Sequence, residues 1–141
     1  MGAQCQRNQR RWRLQCLGWA AIADAAARFV AALHERAADP RLWTAPAIAD
    51  VVIPVCEAAQ AHHRGDHAKV LELLAPRQAQ IRLLGGSNAQ RDLFFQMLIC
   101  SAMRAERRDV VSPMIAHEIA TRAVPPTQRA GYAAAARWLH S

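Results

Sequence analysis

No segment of this sequence alternates apolar and polar residues between turn signals, so β-strands are not expected. Aromatic residues make up only 6% of the chain, and alanine carries much of the apolar content. That balance favours closely packed helices over a sheet. The four cysteines, Cys5, Cys16, Cys56 and Cys100, form no C-x-x-C pair and no regular spacing. A disulfide framework or zinc ribbon is therefore not expected, and a reduced cytoplasmic compartment fits best. Long apolar runs are missing too, because Asp24 and Arg28 interrupt the best membrane-spanning candidate. The sequence holds no phosphate loop or dinucleotide motif, since Gly85-Gly86 alone makes neither. Ser87, Ser101 and Ser112 lack a G-x-S-x-G setting, and no cysteine has an electropositive neighbourhood that would activate it. With no H-E-x-x-H either, we expect a non-enzymatic chain with no catalytic residue, cofactor or metal.

What remains is basic and helical. A chain of 141 residues allows one domain with a modest core, here expected over residues 12–141. The formal charge of +7 is spread along the chain, apart from Arg7, Arg10, Arg11 and Arg13 near the start. Residues 1–11 read as a flexible basic arm. Arg10 to Leu14, followed by Leu17 to Ala23, resembles a targeting signal in its basic start and short apolar run, but the amphipathic pattern continues beyond it. Leu14, Leu17, Ala21, Ala25, Phe29, Ala32 and Leu33 form one stripe, predicting a helix to about Ala37 that Asp39-Pro40 stops. Thr44 should cap the next helix, with Pro46 in its first turn. Pro54 should kink or divide that helix. Arg64-Gly65-Asp66 is a turn, and a third helix carries Val70, Leu71 and Leu74, with a break at Pro76 before Ile81 and Leu84. A fourth runs to about Ala105. Glu106 to Asp109 is a charged turn before a fifth helix with Val111, Met114, Ile115 and Ile119. Val124-Pro125-Pro126-Thr127 should end it and cap a sixth, which carries Tyr132, Ala135, Trp138 and Leu139.

The chain is organised around Leu84 to Phe95. Gly85 and Gly86 suit the left-handed conformation that closes a helix. Ser87 and Gln90 have capping-box spacing, and Asp92 falls near the positive end of the new helix dipole. Leu93, Phe94, Met97 and Leu98 follow as an expected buried stripe. This segment is similar to the G-G-S-H-A-Q-R-D segment of the family of tetratricopeptide repeat protein 38 and its bacterial relatives. Val52 to Ala58, Arg64 to His67 and Val70 to Pro76 resemble the same family in the same order. The match runs from about Ala49 to the C-terminus, and Asn88 stands where the family usually has histidine. The resemblance implies the C-terminal portion of a longer architecture and a tetratricopeptide-like module. The expected fold is all-α, a right-handed stack of antiparallel helix hairpins with about six helices. The candidate turns Gly65-Asp66 and Glu106-Arg107 lie 41 residues apart, against ~34 for a standard repeat. The hairpins are thus of irregular length.

Two polar sets stand out. Asn88, Gln90 and Arg91 at the helix start, with Arg82 before it, are the expected contacts to a ligand or partner. As an anion site they would use the helix N-terminus and Arg91; as structure they would form a cap, plus an ion pair between neighbouring helices. Arg91 and Asp92, about 100° apart on a helix, should not face the same partner. His62, His63 and His67 are the densest set of potential metal ligands, but Gly65 and Asp66 break the helix that would align His63 with His67. The expected function is a scaffold for protein or peptide interaction. Two alternatives are a partial domain of a larger enzyme or metabolite-binding protein with an anion site at the Gly-Gly-Ser helix start, and nucleic-acid binding through the basic N-terminus with Trp12 and Trp19. Met97, Met103 and Met114 read as core filler.

Overall fold

The computed structural model describes residues 22–121 and 123–141. The basic arm, Trp12, Trp19, Cys5, Cys16 and the targeting-like start lie outside the described residues. Among those described, the chain is helical and holds no strand. It forms two compact units, Met1–Ile48 and Ala49–Ser141.

In the first unit, residues 22–37 form α1. The Asp39-Pro40 pair follows its end, as the proline rule requires. Asp39 accepts hydrogen bonds from the backbone N–H of Arg41 at 3.0 Å and from its guanidinium at 2.9 Å. Those bonds hold the Asp39 carboxyl below its usual range. The predicted stripe on α1 is only partly covered: Leu33 is buried, whereas Phe29 is 58% exposed. The short helix α2 (Ala45–Ala47) accepts Pro46 in its first turn. Thr44 occupies the position before it, but its backbone is already helical and its side chain makes no capping bond. A capping hydroxyl needs the extended backbone that Thr44 lacks here.

The second unit opens on proline chemistry. Residues Ile48–Val52 wind as a π-helix before α3 (Ile53–His63). Pro54 has no N–H to return to the carbonyl of Asp50, and its ring crowds that carbonyl. The wider winding accommodates the ring, and the Asp50 carbonyl accepts a hydrogen bond from Arg77 Nε at 2.9 Å. Arg77 Nη1 also reaches the Leu73 carbonyl at 2.9 Å. Leu73 lies where α4 (His67–Leu74) gives way, around Pro76, to a 3₁₀ turn at Ala75–Arg77. One arginine therefore satisfies carbonyls at both proline-disturbed places. Between α3 and α4, Gly65 takes φ +77° and Asp66 caps α4 by accepting from the Lys69 N–H at 3.0 Å.

Then come α5 (Gln78–Leu83), α6 (Asn88–Arg104), α7 (Arg108–Thr121) and α8 (Ala130–Leu139). Helices α3 and α4 pack as a hairpin, as do α6 and α7, while α8 lies against both α6 and α7. Val55, Ala58, Val70, Leu74, Ile81, Leu98, Ile99, Ala102, Val111, Ile115, Tyr132 and Ala135 form their common core. Two expectations fail in register. On α6 the covered face is Phe95, Leu98, Ile99 and Ala102, and Leu93 is 64% exposed. On α7, Ile119 is likewise 64% exposed. Thr127 does not cap α8; it lies inside the 3₁₀ turn Pro126–Gln128, and Arg129 takes the cap position without a side-chain bond.

At the glycine corner, Leu84 leaves the helix with ψ 138°, and only Gly86 is left-handed, at φ +92°. Gly85 is not needed for that conformation. The capping box is complete: Ser87 Oγ accepts from Gln90 N–H at 3.2 Å, and Gln90 Oε1 accepts from Ser87 N–H at 2.7 Å. A Cβ on Gly86 would fall 2.6 Å from that same Gln90 Oε1. Gly86→Ala should therefore both strain the backbone and disturb the cap, lowering stability by about 1–2 kcal/mol in urea unfolding. Gly85→Ala, which meets nothing within 4 Å, should stay within about 0.5 kcal/mol of wild type.

Candidate functional site

Of the four expected contact residues, the structure gathers three at the corner and sets the fourth apart. Arg91 turns back on its own loop. Its Nη1 donates to the carbonyls of Leu84 at 3.0 Å and Gly86 at 2.7 Å, and its Nη2 donates to Asn88 Oδ1. Gln90 serves the capping box. The donors that would hold an anion are thus engaged with the turn's own carbonyls, the acceptors that a closing helix leaves unsatisfied. Arg82 stacks its guanidinium 4.8 Å from the centre of the Phe95 ring. It lines a separate cleft of about 330 Å³, shared with Gln78, His117 and Glu118. Among the described residues, no hydrogen bond or carboxylate holds that guanidinium.

Asp92 faces a different partner from Arg91, as the helical angle requires. Its Oδ1 accepts from the Tyr132 hydroxyl at 2.6 Å and pairs with the Arg129 guanidinium, and its Oδ2 accepts from Gln96 at 2.7 Å. Arg129 also pairs with Glu118 and lies 4.0 Å over the Tyr132 ring. The two carboxylate side chains are only 12% and 6% exposed. Burial raises the Asp92 carboxyl, but the bonds from Arg129, Tyr132 and Gln96 outweigh it and hold it below the usual range. Burial, reinforced by the adjacent carboxylate, lifts the Tyr132 phenol above its usual range. An acid so fully satisfied is poorly placed to take up a proton, so this set joins α6, α7 and α8 rather than offering a base. Arg129 lies 37 residues from Asp92, and no local pattern in the sequence marks the pair.

The histidines meet where the sequence did not place them. His62 and His67, not His63 and His67, converge across the Gly65 turn. Their Nδ1 atoms lie 3.0 and 3.2 Å from Ser101 Oγ, which is fully buried on α6. One hydroxyl carries one proton, so with both rings neutral one Nδ1–H donates to Oγ and the other Nδ1 accepts. The rings sit edge to face at 5.7 Å. No group of three or more His, Cys, Asp or Glu among the described residues is arranged to hold a metal ion. Burial chiefly, then His67 and Arg104 nearby, lowers the basicity of His62 below the ordinary 6.5. Below that value the unfolded chain takes the proton while the folded chain refuses it, so stability falls as pH drops through this window and is fully present above it. Melting followed by circular dichroism should show a lower Tm at pH 5 than at pH 7.5. His62→Gln should flatten that difference.

Cys56 and Cys100 are half-buried free thiols, and burial raises the Cys56 thiol. No helix among the described residues is long and apolar enough to cross a membrane. A groove of about 650 Å³ runs along the outer face of α6, where Leu93, Met97, Cys100 and Met103 form its floor between α3 and α8. Met114 is buried core as expected, whereas Met97 and Met103 both pack on the core and line this groove. The missed signal is in the sequence: from Leu93 to Met103, with Gln96 and Ser101 between them, apolar residues fall on every side of α6, so one stripe cannot account for it. No protein-family model matches the chain, and no solved structure matches it.

Proposed function

We propose that this chain is a non-enzymatic helical scaffold that binds a segment of another protein or a peptide, built as a right-handed stack of tetratricopeptide-like hairpins. The observation that carries the reading is the two-sided apolar character of α6. Its inner face is core, and its outer face lines an open groove in which Leu93 is 64% exposed. A concave, mostly apolar surface with a few polar groups at its edge is the usual form of a binding site. The hairpins α3–α4 and α6–α7 support the architecture, as does the boundary of the compact unit at Ala49, where the family resemblance also begins. Arg82, whose guanidinium stands over Phe95 in its own cleft, is the polar contact favoured among the four expected from sequence. Asn88, Gln90 and Arg91 contribute by fixing the corner that sets the direction of α6.

Selection on the full chain from a displayed library of random 16-residue peptides tests this. We expect binders with micromolar or tighter affinity that shift backbone resonances of the folded unit. A library that yields no such binder would overturn the scaffold reading.

A further inference from the structure

Helix α6 carries apolar side chains on two faces. Phe95, Leu98, Ile99 and Ala102 face the core. Leu93, Gln96, Met97, Cys100, Met103 and Arg104 face the groove. Positions 93, 97, 100 and 104 follow the spacing of one helical stripe. The walls beside this stripe are mostly small, Ala59 of α3 and Gly131 and Ala134 of α8, with His62 of α3 at one end. At Gly131 α8 comes close to α6, and a Cβ there would lie 3.0 Å from Gln96 Oε1. Small walls let another backbone come near, at the 8–10 Å typical of packed helices. From Leu93 to Arg104 the floor is about 16 Å long, or three helical turns.

The two ends of the groove differ in charge. Toward the α6 N-terminus, Gln96 is bonded to an Asp92 that Arg129 and Tyr132 already satisfy. At the other end sit His62 and Arg104, and Arg104 lies close enough to depress the basicity of His62. Among the described residues, no carboxylate pairs with Arg104. We infer that the groove receives an amphipathic helix of a partner protein, about three turns long, whose apolar stripe covers Leu93, Met97 and Met103 and whose acidic end meets Arg104. This rests on the scaffold reading and names its site and the chemistry of its partner. Met97 and Met103, unbranched and polarizable, suit a surface that adapts to the incoming side chains.

The test uses the full chain and four stapled, 15-residue helical peptides labelled with a fluorophore. All carry the same leucine stripe, and each has a pair of Glu or a pair of Lys in its first or last turn. By fluorescence anisotropy, one Glu peptide should bind at least tenfold more tightly than its Lys counterpart. Arg104→Glu should invert that preference. Leu93→Glu, at a solvent-facing position, should weaken binding at least tenfold with an unchanged melting curve; Met97→Glu, at a half-buried position that also packs on the core, should weaken it as much and lower the melting temperature. Equal affinity for the Glu and Lys peptides would overturn the proposal, as would full binding by both groove variants. So would sedimentation showing a wild-type dimer that Leu93→Glu dissociates, since a second copy would then be the occupant. Library-selected peptides that bind regardless of Leu93→Glu would remove this groove and leave the scaffold standing. A library without binders would remove both.

Discussion

Arg129→Met should lower the unfolding free energy by about 3 kcal/mol, the low end of what removing one partner from a buried ion pair costs. Arg129 is the only cation that the described residues place against both Asp92 and Glu118. Those carboxylates come from α6 and α7, and their side chains are 12% and 6% exposed. Without the guanidinium, two acids share a nearly dry site, and Asp92 keeps only its hydrogen bonds from Tyr132 and Gln96. The loss should come from the repulsion between the two carboxylates and the uncompensated burial of Asp92 more than from the missing attraction. Urea unfolding of the triple variant Arg129→Met, Asp92→Asn, Glu118→Gln should therefore recover at least half of the loss. A single variant within 0.5 kcal/mol of wild type, about the scatter of ordinary surface substitutions, would show that the lock carries no weight.

The pH dependence of this lock follows from Asp92. Its folded value lies below the ordinary 3.8, so its contribution is present above the unfolded value and is lost as pH falls through the folded one. That window begins below 3.8, whereas the one set by His62 begins below 6.5, so the two acid losses should have different onsets.

Leu98→Ala should cost about 3 kcal/mol, because Leu98 is fully buried and truncation removes apolar contact while leaving a cavity. Leu93→Ala, five residues earlier on the same helix, should cost no more than about 0.5 kcal/mol, since Leu93 is 64% exposed. Chemical unfolding of both variants settles the register of α6. Sequence periodicity could not, because Leu93 and Leu98 both belong to apolar runs, and a helix apolar on every side has no preferred face until its neighbours are in place.

That ambiguity marks how much was legible in advance. The all-helical composition, the turn at Gly65, the break at Pro76 and the Ser87–Gln90 capping box were readable because each depends on residues within four positions of one another. Thr44 and Thr127 misled because a cap depends on the backbone angles of the capping residue, which composition does not reveal. The Arg77 bonds to Asp50 and Leu73 follow from where Pro54 and Pro76 disturb their helices, but only the packed structure brings the arginine to both carbonyls. The Asp92–Arg129–Glu118 set and the His62–Ser101–His67 cluster unite residues from different helices. The Gly65 turn that breaks the His63–His67 spacing is the same feature that brings His62 and His67 together.

The central claim is that α6 has two apolar faces of which one is core and the other is open. Methyl NMR of the full chain with a soluble paramagnetic probe tests this directly. The account predicts strong relaxation enhancement at the methyls of Leu93, an intermediate effect at the half-buried Met97, and little at Leu98 and Ile99. It also predicts nuclear Overhauser contacts from the Tyr132 ring to the β-protons of Asp92. Equal protection of Leu93 and Leu98, or a Tyr132 ring with no contact to Asp92, would contradict it.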